Sequence, residues 1–174
     1  LYRQHQRLGQ SGIVLARSTF TNLTQRAILL LKPIYEAQLQ HVLLSKTLSI
    51  DETPIKAGRE KKGKLKQAYF WPIHGDAHEI CFTYSASRGT QHLFEQLGEF
   101  SGTVLSDGYC AYKRFVEKCS DAKLAQCWAH TRRKFDEAKE DSPEECAVAL
   151  AFIGKIYAVE KVIREEKLNE KQTV

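Results

Sequence analysis

Thr47-Leu48-Ser49-Ile50-Asp51-Glu52-Thr53-Pro54 is a short strand signal that ends in an acid and stops at a proline. Thr103-Val104-Leu105-Ser106-Asp107-Gly108 repeats the pattern, with a glycine directly after the acid. Between them lie Ala68-Tyr69-Phe70-Trp71-Pro72-Ile73, closed by His74-Gly75-Asp76, and a run from Glu79 to Ser85. In that run Ile80, Phe82 and Tyr84 alternate with Cys81 and Thr83. Strands joined by short turns predict an antiparallel meander of three. The lysine-rich stretch 56–66, punctuated by Gly58 and Gly63, reads as its exposed hairpin tip. The period then changes: Leu93, Phe94, Leu97 and Phe100 share one face of a helix over 90–100. After the strand ending at Asp107 come a short helix over 109–118, a fifth strand over 122–128 and a helix starting near His130. The order β-β-β-α-β-α-β-α predicts an α/β fold with a mixed sheet, three antiparallel strands followed by two parallel strand–helix units.

Outside this block the chain reads as helical. Ser18 is a candidate N-cap for a helix whose apolar stripe runs through Phe20, Leu23, Ala27, Leu30 and Ile34, widened by Ile28, Leu31 and Tyr35. Pro33 inside that stripe predicts a kink or a division near Leu31–Lys32. With a turn over 9–17 before it, the outline fits the second half of a helix-turn-helix. Arg17, Thr19, Asn22 and Gln25 would then face a DNA groove, and an ordinary helical hairpin is the competing reading. At the other end, Ala147, Leu150, Ile153, Ile156, Tyr157 and Ile163 predict a long helix over 143–168.

The 174 residues are 43% hydrophobic and 27% charged, which suits one packed domain and excludes a wholly disordered chain. No apolar run approaches the ~20 residues that span a bilayer, and no signal-peptide pattern opens the chain, so a soluble, cytoplasmic protein is expected. The chain has no methionine, which suggests a fragment or a processed product. The net charge of +5 is unevenly spread. Residues 1–50 set Arg3, Arg7, Arg17, Arg26, Lys32 and Lys46 against Glu36 alone. Residues 56–66 set Lys56, Arg59, Lys61, Lys62, Lys64 and Lys66 against Glu60. Two basic segments on an acidic body suggest a polyanionic partner, with a solvated basic loop as the alternative. The 5 cysteines have no disulfide-framework spacing and read as mostly reduced core thiols. Cys127 and His130 form a C-x-x-H pair without the second pair that structural zinc requires.

The chemistry lies in the two strand-terminal acids. If the strand ending at Asp107 lies beside the strand ending at Asp51, the two carboxylates emerge together and repel each other unless a divalent cation sits between them. Hard oxygen ligands suit Mg²⁺ or Mn²⁺, and two such ions about 4 Å apart activate an attacking hydroxyl and stabilise the leaving oxygen of a phosphodiester. Taken singly, each aspartate reads equally well as a turn cap.

At these residues the chain resembles a known family. Asp51-Glu52-Thr53-Pro54, Leu105-Ser106-Asp107-Gly108-Tyr109-Cys110-Ala111-Tyr112 and Cys127-Trp128-Ala129-His130-Thr131-Arg132-Arg133-Lys134-Phe135 resemble, in order and spacing, the central region of bacterial insertion-sequence transposases of the IS66 family. Ile156-Tyr157-Ala158-Val159-Glu160 is similar to a further segment of that family. The resemblance implies a DDE-type transposase with an RNase H-like fold, which uses Mg²⁺ or Mn²⁺ to cut and rejoin DNA and acts on it as a homo-oligomer. It makes Asp51 and Asp107 the first two catalytic acids and metal ligands. It also places His130, Arg132 and Arg133 near the metals or the DNA backbone. Pairing of the basic residues with Asp136, Glu137 and Asp141, around a buried Trp128 and Phe135, is the competing reading. The family's third acid, a glutamate in an N-N-x-x-E-R block, has no match in the chain; Glu137 and Glu160 are the nearest glutamates and neither fits. The implied organisation is a helical DNA-binding lead-in over 1–46, a partial catalytic core over 47–141 and the start of a helical insertion over 142–174. Two rival readings are a catalytically silent DNA-binding remnant and a nuclease of the same fold without strand transfer. Lys61, Lys62, Lys64 and Lys66 are the leading candidates for phosphate contact.

Overall fold

The computed structural model describes residues 1–61 and 63–167, with Arg59 and Glu60 described by backbone alone. The sheet is built from β1 (Thr47–Ile50), β2 (Thr53–Lys61), β3 (Lys64–His74), β4 (Ile80–Ser85), β5 (Gly102–Ser106) and β6 (Ala122–Gln126). β4 pairs antiparallel with one edge of β3, while β1 and β2 follow one another along its other edge. β5 then pairs parallel with β1, and β6 parallel with β5. A three-strand antiparallel half thus meets a parallel half at β1.

The hairpin differs from its sequence signal. Residues 56–66 are largely strand, since β2 and β3 continue far beyond 68–73 to a turn at Gly63 (φ 80°). β-branched density is low there, and the lysines mask a ladder that backbone pairing sustains through two register shifts. Lys62 lies outside the described residues.

Helices α3 (Thr90–Leu97) and α4 (Cys110–Lys118) cover one face of the sheet. They bury Leu93 and Leu97, and Ala111, Tyr112 and Phe115, against Leu48, Ile50, Trp71, Ile73 and Val104. Each such large side chain contributes roughly 1.5–3 kcal/mol by leaving water. Trp71 is fully buried and its indole N–H donates to Ser85 Oγ at 2.7 Å. Gly102 opens β5 at φ 142°, where a Cβ would stand 2.5 Å from the Lys46 carbonyl oxygen; the parallel ladder starts there because no side chain intervenes.

The flanking helices depart further from expectation. α1 (Tyr2–Gln10) precedes α2 (Arg17–Val42), which starts one residue before Ser18, with Ala16 at the N-cap position and no side-chain cap. Pro33 does not divide α2, because a proline forfeits one N–H bond while 26 residues supply the rest. The expected apolar stripe is not a core face: Leu23, Ile28, Leu30, Leu31 and Ile34 are exposed, and only the C-terminal end, with Val42 buried, joins the core. α5 (Trp128–Glu137) and α6 (Pro143–Glu165) follow β6, and α6 buries Cys146 and Ile153. Trp128 is exposed rather than core. Only Cys81 and Cys146 are buried thiols; Cys110 is exposed, and Cys119 and Cys127 are half-buried. Among the described residues, no helix is long and apolar enough to cross a membrane.

Candidate metal centre

The β1–β5 register pairs Leu48 with Val104 and Ser49 with Leu105, and two further residues along each strand are Asp51 and Asp107. Both acids therefore leave the sheet level with each other, as the strand-end pattern predicts. Leu48 and Ile50, and Val104 and Ser106, are buried; alternation turns the acids to the opposite face. Asp107 stands in a turn in which its Oδ1 accepts the Tyr109 N–H at 2.9 Å. Gly108 (φ 86°) permits that turn, and a Cβ there would press on the Gln126 amide at 3.3 Å. Asp51 Oδ1 accepts the Glu52 N–H at 2.8 Å.

A third carboxylate joins them. Asp51, Glu52 and Asp107 each bring an oxygen within 4.8 Å of the others, the one such group of acids, histidines or cysteines among the described residues. Glu52 occupies the two-residue break between β1 and β2, so it turns inward where Asp51 turns out. Its side chain is 1% exposed, against 27% for Asp107 and 53% for Asp51. Burial raises the Glu52 carboxyl above the ordinary range; Arg88 opposes that rise, and the charges of Asp107 and Asp51 add to it. Arg88, in the loop after β4, donates through Nε to Glu52 Oε1 at 3.1 Å and through Nη2 to Oε2 at 3.4 Å. The same Nη2 lies 3.6 Å from Asp107 Oδ2, and the guanidinium stacks 3.9 Å from the centre of the Tyr109 ring. Below, the Tyr112 hydroxyl is buried without a hydrogen-bond partner, and burial followed by the Glu52, Asp107 and Asp51 charges pushes its pKa far up.

His130 completes the rim: its Nε2 is 3.7 Å from Asp51 Oδ2, while Nδ1 is buried and unpartnered. A hollow of about 390 Å³ opens beside it between Asp107, Gln126, Lys134 and Phe135. A larger one, about 560 Å³, lies at the far end of β1, where Asp76 already accepts the Lys46 N–H and His41 pairs with Glu79. Arg132 and Arg133 lie exposed along α5. Part of the competing reading holds there, because Lys134 pairs with Glu137 at 2.9 Å, whereas Asp136 is paired with Lys139, outside that block. Glu160 pairs with Arg164 on α6. Neither Glu137 nor Glu160 is a member of the acid cluster. Arg17, Thr19, Asn22 and Gln25 are exposed on α2, away from the acids in sequence and element, and Arg17 lies over the Tyr2 ring at 5.3 Å. Lys61, Lys64 and Lys66 are exposed on the β2–β3 hairpin.

Glu52 and Arg88 are the site residues that the sequence pattern does not single out. Glu52 stands directly beside Asp51, but its partner lies 36 positions away and has no local signal.

In comparison with known proteins, a family model, described as transposase IS66 family, matches residues 1–174. The chain belongs to the IS66 transposase family. Two curated relatives of this IS66-family chain come from Sinorhizobium fredii (strain NBRC 101917 / NGR234) and are described as uncharacterized proteins. One, y4jD, is 30% identical over 99% of the chain and 36% of its own length. The other, y4qI, is 26% identical over 78% of the chain and 28% of its own length. The chain thus spans about a third of the length of these relatives.

Proposed function

We propose that this chain carries two of the catalytic acids, Asp51 and Asp107, of a transposase that cuts and rejoins DNA with divalent metal. The observation that carries the reading is the convergence of Asp51 and Asp107 at level ends of adjacent parallel strands. The strand order, β4-β3-β1-β5-β6 with β2 extending β1, supports an RNase H-like core over 47–141. The donor set fits Mg²⁺ or Mn²⁺: carboxylate oxygens only, half-exposed, with negative charge that a single guanidinium leaves partly uncompensated. When bound, such an ion polarises a phosphodiester and lowers the pKa of an attacking hydroxyl. Asp51 and Asp107 hold the ion and are themselves held by the Glu52 and Tyr109 N–H groups. His130, beside Asp51, is in reach of a phosphate or of a proton at the rim.

DNA is the partner that this reading requires, bound by a homo-oligomer. Lys61, Lys62, Lys64 and Lys66 supply phosphate contacts from the hairpin, with Arg132 and Arg133 nearer the acids. Arg17, Thr19, Asn22 and Gln25 face DNA from the lead-in over 1–46, and residues 142–174 begin a helical insertion. The first test is a Mn²⁺ titration followed by the electron paramagnetic resonance of the free ion. Binding by the wild type that disappears in Asp51→Asn and Asp107→Asn supports the reading; equal binding by all three proteins refutes it. The second is the salt dependence of duplex binding. Replacing the four hairpin lysines by glutamine flattens the slope of log K against log salt by up to about 0.9 for each phosphate that the hairpin no longer neutralises. An unchanged slope removes the hairpin from the interface.

A further inference from the structure

Resting on that metal reading, we propose that Arg88 is a positioning residue: its guanidinium fork withholds Glu52 from the cation and sets the Asp107 turn, so that two of three converging acids face the ion. The three carboxylates are close enough for one ion to touch all of them. What separates them is Arg88. Both Glu52 oxygens are engaged by its Nε and Nη2, a two-point grip that lysine's single ammonium does not reproduce. Asp51 and Asp107 are not gripped in this way: Arg88 Nη2 is 3.6 Å from Asp107 Oδ2, beyond hydrogen-bond distance, and Asp51 faces His130.

Arg88 is itself held by the residues that present Asp107. Tyr109 Oη donates to the Arg88 carbonyl at 2.9 Å and the Tyr109 ring lies under the guanidinium. The Tyr109 N–H in turn holds Asp107 Oδ1. One residue therefore ties the loop after β4, the break between β1 and β2, and the turn after β5 into a single unit. The Tyr112 hydroxyl is buried beneath the acids and beside Glu52, outside good hydrogen-bond geometry to it while Arg88 holds the carboxylate. The fork thus holds Glu52 on the Arg88 side of the cluster.

A double-mutant cycle on Mn²⁺ affinity tests this, using the whole chain as wild type, Arg88→Gln, Glu52→Gln and the double variant. Charge alone makes the first substitution tighten binding and the second weaken it, but additively. Withholding makes them non-additive: Glu52→Gln weakens binding at least about tenfold more in the Arg88→Gln background than in the wild type, since only there is Glu52 a ligand. Additive effects, with Mn²⁺ binding still abolished by Asp107→Asn, overturn the proposal and leave the metal site standing. No Mn²⁺ binding by any of the four overturns both. Should Arg88→Gln fail to fold, Arg88→Lys carries the test, because it keeps the charge and loses the fork. Tighter Mn²⁺ binding then supports withholding, and wild-type affinity overturns it.

Discussion

The acid-bearing end of the sheet and helix α2 are both rich in chemistry-laden residues, yet they are built in opposite ways. At the sheet end, polar side chains reach across elements: Arg88 reaches Glu52 and Asp107, Tyr109 holds both Arg88 and Asp107, and Trp71 is pinned to Ser85. Along most of α2 the hydrogen bonds and ion pairs are local, such as Lys32 with Glu36, and a row of leucines and isoleucines is exposed; only its C-terminal end reaches the sheet, where Gln38 donates to the Ile80 carbonyl at 2.8 Å and His41 pairs with Glu79. A surface pair of that kind contributes roughly 0.3–0.5 kcal/mol, whereas a gripped, desolvated carboxylate constrains the backbone on both sides of it. An apolar pattern in the sequence therefore means burial in one place and an open face in the other.

The largest expected effect bearing on this contrast is that of Trp71→Ala, which removes a fully buried ring and costs about 3–5 kcal/mol in denaturant unfolding. Arg88→Gln follows. It leaves Glu52 buried beside two aspartates and destabilises the metal-free chain by about 2 kcal/mol. That is below the value for a fully enclosed pair, because Arg88 still meets solvent. Thermal unfolding with and without Mn²⁺ checks this, since the ion restores part of the loss. Tyr112→Phe is smaller and of opposite sign: deleting a buried hydroxyl without a partner leaves stability unchanged or raises it by up to about 1 kcal/mol. Leu30→Ala on α2 stays within about 0.5 kcal/mol of the wild type, and a loss comparable to that of Trp71→Ala would erase the contrast.

The smallest effect concerns Asp136. Its hydrogen bond and charge pairing with Lys139 hold its carboxyl below the ordinary range. A depressed folded pKa contributes stability above the unfolded value and loses it as pH falls through the folded one. In Lys139→Ala, Asp136 accordingly titrates at higher pH by carboxyl-resolved NMR, and the unfolding midpoint at neutral pH falls only slightly, because water screens this exposed pair.

Much of the sheet end is legible in the sequence because its signals are local. Alternation locates β4, and an acid closing each of two strand signals locates Asp51 and Asp107 and, with the latter, β5. What stays hidden is non-local. β2 runs through lysines and glycine, and its ladder is specified by β3 rather than by its own composition. Glu52 looks like a neighbour of Asp51 and no more, because only the break between β1 and β2 turns it inward to Arg88. The α2 stripe reads as a core face but is none, since periodicity reports an apolar side without reporting what covers it. Pro33 signals a division that does not occur for a related reason: a long helix absorbs one missing donor.

Whether Asp51 and Asp107 together hold a divalent cation is tested most directly by the anomalous scattering of Mn²⁺ in crystals of the chain soaked with the ion. One peak is expected within bonding distance of an oxygen from each aspartate, about 2.1–2.4 Å, with Glu52 still on Arg88. A peak elsewhere, or none at an Mn²⁺ concentration that saturates the protein in solution, would contradict a metal centre built on these two acids.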